Sequence, residues 1–446
     1  MAAEKKYKTE RLKCWDEAKN LRKSFYEDYY TARQKGGICV AGSANMYYSI
    51  LAGLGKDVYI LTGEPYGATT SIFQDFSARC MEAVERAGVA RDLCAYLRNY
   101  WGSIMLDKFI LADGTVKEGW PKPDFHFTSH ACCTHAKWYQ RAGELEGGVP
   151  FYGLDAAVSP HAPEWNDNQF NYMVQQLAEA IPWMEKVTGR KYNDELLIEA
   201  VNNEWQSSRL WGEICMLNKN IPAPLDEKSM FSLYILESLQ PYKKETVEFY
   251  TRVRDEIQDR VERGIAAAEV EKHRIMTGAS QPPWSFINIW RYLQKEYGIV
   301  SIGSYYTFGL QTVWEIDKEG HLVPARSPKE KGIKITNREE ALRAYAEFKT
   351  KSLTASICTM EMVYKPLALM AKEWSAEAVI VHANRGCEGS GLSCTEPRLV
   401  LLEQDIPVLT FEGSMADYRD FDLPKTMAMV EAFLEGLGWK KLTKGG

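Results

Sequence analysis

The sequence AVIVHANRGCEGSG occupies residues 378–391 and joins two different patterns. Its first part, Ala378 to Val381, is a short apolar run with β-branched residues, which predicts a buried strand. Its second part surrounds Cys387 with glycines, which is typical of a loop whose backbone approaches a bulky group closely. In a parallel sheet such a loop lies beyond the carboxyl end of its strand, where ligand sites are built. We therefore predict that Cys387 belongs to a site on an α/β fold.

Further short apolar runs, separated by helical patterns, recur in the first and last thirds of the chain. The segments Phe73–Ala87 and His135–Leu145 have helical patterns, and they lie between predicted strands. This alternation of strand and helix is typical of parallel-sheet proteins. The other predicted strands are Val58–Leu61, Phe125–Phe127, 149–154, Ile299–Ile302 and Ile406–Phe411.

Length and periodicity divide the chain into three regions. Its 446 residues exceed what one hydrophobic core normally organises. After residue 165 strand signals fade, and apolar residues such as Phe249, Val253 and Ile257 recur every four positions, as on one face of a helix. The predicted fold class is α/β, with two parallel-sheet α/β domains and a mainly helical middle section. The predicted boundaries are 1–165 for the N-terminal domain, 166–280 for the helical section and 281–446 for the C-terminal domain.

Composition and charge disfavour several classes of protein. With 45% hydrophobic and 26% charged residues the chain resembles ordinary soluble proteins, and its net charge of -6 gives no basic footprint for nucleic acid. No apolar segment follows Lys5 and Lys6, and no later stretch is long and apolar enough to span a bilayer. Ten cysteines without a secretion signal indicate reduced core residues and metal ligands. We expect a cytoplasmic protein of anaerobic metabolism that binds neither nucleic acid nor membrane.

Three distant cysteine neighbourhoods indicate an iron–sulfur site. Cys94 lies in a probable helix, the pair Cys132-Cys133 lies between a predicted strand and a predicted helix, and Cys387 follows a strand. Thiolates are the usual ligands of iron–sulfur clusters, and three thiolates leave one iron open to water or substrate. Neighbouring side chains point apart, so we expect one of Cys132 and Cys133 to be a ligand. Periodicity does not choose between them.

Other metal and nucleotide sites find less support. The cysteines lack the paired Cys-x-x-Cys or His spacing of structural zinc sites, so zinc is the weaker alternative. The sequence contains neither a Walker A motif nor a Rossmann fingerprint, so any ATP must be hydrolysed by another chain. A buried cysteine is most often a small apolar residue. We assign that structural role to Cys14, Cys39, Cys80, Cys215 and Cys358.

The three cysteine neighbourhoods together resemble the 2-hydroxyacyl-CoA dehydratase and benzoyl-CoA reductase family. The sequences concerned are LCAYLRNYWG at 93–102, ACCTHAKWY at 131–139 and HANRGCEG at 382–389. Within the family the likeness is greatest to the B-type subunits of ATP-dependent (class I) benzoyl-CoA reductases. The resemblance covers nearly the whole chain, and supporting stretches include LTGEPY at 61–66 and FEGSMAD at 411–417.

The resemblance implies a [4Fe-4S] cluster held by Cys94, Cys132 and Cys387. Cys132 to Lys137 match the family motif Cys-Asp-x-x-x-Lys, which selects Cys132 over Cys133 as the ligand. Cys133 stands where the dehydratases usually have aspartate. The resemblance therefore leaves open whether Cys133 or Cys394 contributes another ligand.

The resemblance also implies a reaction and its partners. The expected activity is that of an oxidoreductase subunit that carries low-potential electrons to benzoyl-CoA, or a related aryl-CoA, and dearomatises the ring to a cyclohexadienoyl-CoA. Expected partners are a homologous C-type subunit, two ATP-hydrolysing activator subunits and reduced ferredoxin. The alternative is a radical 2-hydroxyacyl-CoA dehydratase, which returns its electron in each cycle. A third hypothesis is a non-catalytic scaffold that holds the partner subunit.

Ring reduction requires a proton donor, and His135 is the titratable residue nearest in sequence to Cys132. We predict this catalytic role for His135, although a helix-start role is equally consistent with its position. His130, His382 and Glu388 are weaker candidates. Aromatic pairs such as Trp138-Tyr139 and Tyr305-Tyr306 are expected either to pack in the core or to exclude water from a flat substrate pocket.

Overall fold

The computed structural model describes residues 5–44, 47–130, 132–155, 167–279, 282–309, 314–350, 360–387 and 395–443. Helices and short strands alternate through these ranges. The helices are α1 (Trp15–Thr31), α2 (Tyr48–Ala52), α3 (Gly63–Ile72), α4 (Gln74–Arg86), α5 (Ala95–Met105), α6 (Cys133–Leu145), α7 (Asp167–Thr188), α8 (Asp194–Leu217), α9 (Glu227–Leu233), α10 (Ile235–Leu239), α11 (Lys244–Glu262), α12 (Ile287–Tyr297), α13 (Tyr305–Gly309), α14 (Arg338–Thr350), α15 (Met360–Glu373), α16 (Thr395–Leu402) and α17 (Leu423–Gly436). The strands are β1 (Lys8–Thr9), β2 (Ile38–Gly42), β3 (Val58–Thr62), β4 (Lys108–Ile110), β5 (Val116–Glu118), β6 (Phe125–Ser129), β7 (Phe151–Leu154), β8 (Ile265–Ala266), β9 (His273–Ala279), β10 (Ile299–Ser304), β11 (Trp314–Ile316), β12 (Leu322–Pro324), β13 (Ala378–Asn384) and β14 (Val408–Gly413).

The N-terminal sheet has four parallel strands in the order β3-β2-β6-β7. The predicted strands at Val58, Phe125 and residues 149–154 all belong to it. Its inner strand β2, in which every residue is buried, was not predicted. The sequence of β2 is ICVAG, and its small residues follow a pair of glycines, so its apolar signal is short.

The C-terminal sheet is also parallel, with the order β10-β9-β13-β14. The predicted strands at Ile299, Ala378 and Ile406 correspond to β10, β13 and β14. Strand β9 lies within the range predicted to be mainly helical. Two such parallel sheets, surrounded by helices, confirm the α/β class.

The two sheets share a hydrophobic core. One cluster of buried side chains runs from Ala41 and Tyr100 in the N-terminal part, through Trp211 of α8, to Ile302 and Val381 in the C-terminal sheet. A second cluster covers the other face of the N-terminal sheet. It consists mainly of side chains from α2, α7, α8, α14 and the sheet itself. The long helices of the middle section therefore connect the sheets and fix the positions of their loops.

Glu227, at the start of α9, is a buried carboxyl group in this shared core. Its Oε1 accepts a hydrogen bond from Thr307 Oγ1 at 3.3 Å. Burial raises the pKa of Glu227 from 4.5 to about 8, although hydrogen bonds from Ser304 and Thr307 act in the opposite direction. The native state therefore binds this proton more tightly than the unfolded chain does.

Glu227→Gln is expected to change how stability depends on pH. A carboxyl group whose pKa is raised by folding contributes stability below its unfolded pKa, and that contribution is lost as the pH rises from about 4.5 to about 8. Glutamine is not ionisable and stays neutral at every pH. At pH 8 the free energy of unfolding of the variant should therefore exceed that of the wild type by a few kcal/mol, roughly 1.4 kcal/mol per unit of pKa shift. Urea unfolding at pH 5.5 and pH 8 measures this difference. Glu82→Gln, an exposed substitution on α4, is the control, and an equal pH dependence in both variants would contradict the prediction.

Within the residues described, no helix combines the length and the apolar character that crossing a membrane requires.

Candidate functional site

Two of the three predicted cysteines lie in loops at the carboxyl ends of the sheets. The third lies in a loop that packs against one of these loops. Cys132 follows β6, Cys387 follows β13, and Cys94 precedes α5. Gly386 lies against the backbone just before Cys94: a Cβ on Gly386 would stand 2.7 Å from the Asp92 carbonyl oxygen. The φ of Gly386 is 75°, so both the close contact and the backbone conformation favour glycine there. The Cys387 and Cys94 loops are therefore in direct contact.

The three thiols are close enough to influence one another. Burial raises the pKa of the Cys94 thiol, and the neighbouring Cys387 and Cys132 add to that rise. Cys94 is 7% exposed, whereas Cys132 and Cys387 are half-buried. The structure thus brings together three thiols that lie almost 300 positions apart in the sequence.

Two of these cysteines occupy the amino-terminal caps of helices. Cys94 is the N-cap residue of α5 and Cys132 is the N-cap residue of α6. The amino-terminal end of a helix carries partial positive charge, which favours a thiolate over a thiol. Although burial acts in the opposite direction, contact with His135 lowers the pKa of Cys132.

His135 is buried in the first turn of α6 and contacts Glu64, the second residue of α3. The Nε2 of His135 lies against the Oε1 of Glu64, and the side chains are 7% and 13% exposed. Burial opposes a charge on His135, but Cys132 and Glu64 together raise its pKa well above the usual value. A histidine and a carboxylate in contact, beside a thiolate, are able to hold a proton and to move it.

Glu64 is fixed from two further directions. Its Oε2 accepts a hydrogen bond from the backbone N–H of Ala44 at 2.7 Å and one from the Tyr139 hydroxyl at 3.4 Å. Ala44 follows β2, and Tyr139 lies on α6. The ends of two neighbouring strands and one helix therefore hold this carboxylate next to His135.

Aromatic side chains form a wall beside the thiols. Tyr306 stacks on Phe231, with ring centroids 5.8 Å apart, and meets Tyr234 edge to face at 5.7 Å. Tyr306 and Tyr96 are hydrogen-bonded to each other. Burial raises the pKa of the Tyr306 hydroxyl, and Glu64 and Cys387 contribute to that rise, so Tyr306 lies near both groups. Buried aromatic rings therefore lie next to the thiols.

Of the weaker candidates from the sequence, two histidines make other contacts, and the rest lie outside the described residues. His382 is buried in β13 and stacks on Phe411, with ring centroids 4.7 Å apart, so it belongs to the packing of the sheet. The His130 side chain is about half exposed, and its Nδ1 lies 3.7 Å from Asp155. Glu388, Cys394 and the side chain of Cys133 lie outside the described residues.

Glu64 was not predicted as a site residue, and Tyr306 was predicted only as one of an aromatic pair that either packs in the core or lines a pocket. Each of them lies two residues after the observed end of a strand, β3 for Glu64 and β10 for Tyr306, at the edge where α/β proteins build their sites. That position is the signal that identifies them. A single carboxylate or tyrosine after a strand is common, however, whereas cysteine is rare enough to stand out.

The donor set fits an iron–sulfur cluster held by three thiolates. All three converging side chains are thiols from different loops, and two have helix amino termini behind them. Among the described residues, no three His, Cys, Asp or Glu side chains are close enough to hold a single metal ion. In a cluster the thiolates bind different irons, so the ligands are spaced more widely than around one ion.

Comparison with known proteins places the chain in a family. Residues 67–437 match the family model described as 2-hydroxyglutaryl-CoA dehydratase, D-component. This match contains all three cysteines and His135. It covers both sheets apart from β2 and β3, so the match extends well beyond the motifs.

Individual relatives carry two kinds of name. The (R)-2-hydroxyisocaproyl-CoA dehydratase alpha subunit of Clostridioides difficile is 24% identical over 430 residues, which cover 94% of this chain and 95% of the relative. The alpha subunit of (R)-2-hydroxyglutaryl-CoA dehydratase from Acidaminococcus fermentans is 23% identical over 330 residues, covering 73% of this chain and 62% of the relative. The B-type subunit of benzoyl-CoA reductase from Thauera aromatica is 26% identical over 245 residues, covering 50% of this chain and 53% of the relative. These comparisons confirm the resemblance, and the chain belongs to the 2-hydroxyglutaryl-CoA dehydratase, D-component family.

Proposed function

We propose that this chain is the iron–sulfur subunit of a hetero-oligomeric enzyme that acts on a CoA thioester. The observation that carries the proposal is the convergence of Cys94, Cys132 and Cys387 beside the contact between Glu64 and His135. A [4Fe-4S] cluster held by the three thiolates would supply single electrons at low potential. The relatives from C. difficile and T. aromatica are each one subunit of an enzyme, an alpha and a B-type subunit, which supports a partner subunit here.

For the reaction, the comparisons favour dehydration of a 2-hydroxyacyl-CoA over ring reduction. The dehydratase subunit from C. difficile aligns with 94% of this chain, and the benzoyl-CoA reductase subunit aligns with 50%. Dehydration removes a hydroxyl group and a hydrogen from adjacent carbons and releases water, with no net change in oxidation state. On this proposal Glu64 and His135, which are in contact, would hold the proton that leaves, and Tyr96 and Tyr306 would limit the access of bulk water.

Reduction of an aryl-CoA is the second candidate function. It is supported by the higher identity, 26%, in the shorter alignment with the benzoyl-CoA reductase subunit. The aromatic wall of Phe231, Tyr234 and Tyr306 also suits a flat ring. In this reaction Glu64 and His135 would deliver protons to the ring. Both candidates share the cluster site, and on either one we propose ATP-hydrolysing activator subunits and reduced ferredoxin as the electron supply.

Two measurements test the proposal. After anaerobic purification the chain should contain about four irons and show the electron paramagnetic resonance (EPR) spectrum of a reduced cluster. A chain without iron after anaerobic reconstitution would contradict the cluster site.

The assembled enzyme is then supplied with a 2-hydroxyacyl-CoA or with benzoyl-CoA. Ring reduction consumes two electrons for each product, whereas a dehydratase that recovers its electron consumes far fewer, so electron consumption per product separates the two reactions.

A further inference from the structure

A buried ion-pair network crosses between the N-terminal and C-terminal parts of the chain beside the three thiols. Arg98 of α5 donates from Nη1 to Asp417 Oδ2 at 3.0 Å, and the side chains are 2% and 1% exposed. Arg419 also donates to Asp417 Oδ2, at 2.7 Å, and Glu85 accepts from Arg98 at 3.3 Å. Charges this deeply buried persist only when they are paired, and removing one partner would leave the other charge buried without compensation.

On one side the network reaches the Cys94 loop. The Nε of Arg98 donates to the carbonyl oxygen of Leu93 at 3.0 Å, and Leu93 directly precedes Cys94. The backbone N–H of Arg98 donates to the Cys94 carbonyl at 3.1 Å, as the first turn of α5 requires. One guanidinium group therefore fixes the peptide on the amino-terminal side of Cys94 while its own backbone continues the helix.

On the other side the network reaches the Cys387 loop. Asp417 lies four residues after β14, which pairs with β13 as far as Asn384 and Gly413. Asn384 Oδ1 accepts a hydrogen bond from the Met415 N–H at 3.1 Å, and the Arg385 N–H donates to the Gly413 carbonyl at 2.7 Å. The segment that carries Asp417 is thus tied to the residues that lead into Cys387.

We propose that Arg98 is a positioning residue for the cluster site, which sets the position of Cys94 relative to Cys387 through its bonds to Leu93 and Asp417. The inference rests on the proposed function and extends it to residues that touch no ligand. Arginine suits the role because its rigid, planar donors reach the carbonyl and the carboxylate at once, while lysine offers a single point charge. The contact of Gly386 with the Asp92 carbonyl leaves little space for the loops to shift without opening.

The first test uses apoprotein and does not depend on iron. The rate at which N-ethylmaleimide alkylates Cys94 is measured by mass spectrometry. Arg98→Met should increase this rate by roughly tenfold or more, because breaking a buried ion pair favours local opening. Asp417→Asn keeps the volume of the side chain and removes its charge. It should also accelerate the alkylation of Cys94, and it serves as the test variant if Arg98→Met fails to fold. Arg91→Met is the matched control: Arg91 pairs with Asp420 at 2.8 Å nearby, but its side chain is 51% exposed.

The second test uses the reconstituted cluster. Arg98→Met and Arg98→Lys should both shift the EPR spectrum and the reduction potential, whereas Arg91→Met should leave both as in the wild type. Wild-type rates of Cys94 alkylation in the folded Arg98→Met and Asp417→Asn variants, or an unchanged spectrum and potential, would overturn the inference. A wild-type chain that binds no iron would instead overturn the proposed function, and accelerated alkylation would still support the role of Arg98 in joining the loops.

Discussion

Cys387→Ser is expected to abolish the cluster. A serine hydroxyl is a far weaker ligand for iron than a thiolate, and two remaining thiolates would hold the cluster poorly. Iron should fall from about four per chain to below one, and the EPR signal of the reduced protein should disappear. Activity of the assembled enzyme should fall to the background, which would also exclude the scaffold hypothesis.

The control for this prediction is Cys14→Ser. Cys14 is more deeply buried than Cys387, at 6% exposure, but it is the N-cap residue of α1, and its backbone N–H donates to Glu256 of α11 at 2.9 Å. Its side chain makes no capping hydrogen bond, and serine is a favoured residue at that position. The control should keep its iron, its spectrum and its activity. Equal iron content in both serine variants would show that Cys387 is not a ligand.

The sequence was most informative where an apolar run is long and a loop residue is chemically rare. Strands such as β13 and β10 are β-branched and apolar, so their positions were predicted. Strand β9, HRIMTGA, begins with two charged or polar residues and contains a glycine, and only its neighbours in the sheet make it a strand. Its pairing involves residues about 25 and 100 positions away, which no local pattern records.

The same distinction applies to the site. The neighbourhoods of Cys132 and Cys387 were identified because cysteine in a loop of a parallel-sheet protein is rare enough to suggest a ligand. Cys94 was predicted to lie in a helix, and the family resemblance selected Cys94 and Cys132 as ligands. Arg98 and Asp417 are ordinary charged residues separated by 319 positions, and each pattern alone predicts a solvated side chain. Their burial and pairing follow from the packing of one sheet's loops on the other's, which becomes visible only in three dimensions.

Glu64→Gln is expected to lower the activity of the assembled enzyme by about 10²- to 10⁴-fold, the usual contribution of a positioned proton-transfer group. Glutamine keeps an oxygen that accepts the hydrogen bond from the Ala44 N–H, so the fold and the iron content should stay as in the wild type. The variant removes only the carboxylate that contacts His135. A fall in turnover with an unchanged EPR spectrum would therefore assign Glu64 to proton transfer and not to holding the cluster.

Tyr139→Phe provides the matched comparison for Glu64→Gln. It removes the weaker hydrogen bond to the same carboxylate, at 3.4 Å, without changing its charge or its contact with His135. We expect a decrease of less than about tenfold, since a neutral hydrogen bond contributes roughly 1 kcal/mol. If both variants lose activity equally, Glu64 acts through its position alone. If Glu64→Gln retains full activity, the proton must be held by a group other than the pair Glu64–His135, and the acid–base part of the proposed function fails while the cluster site stands.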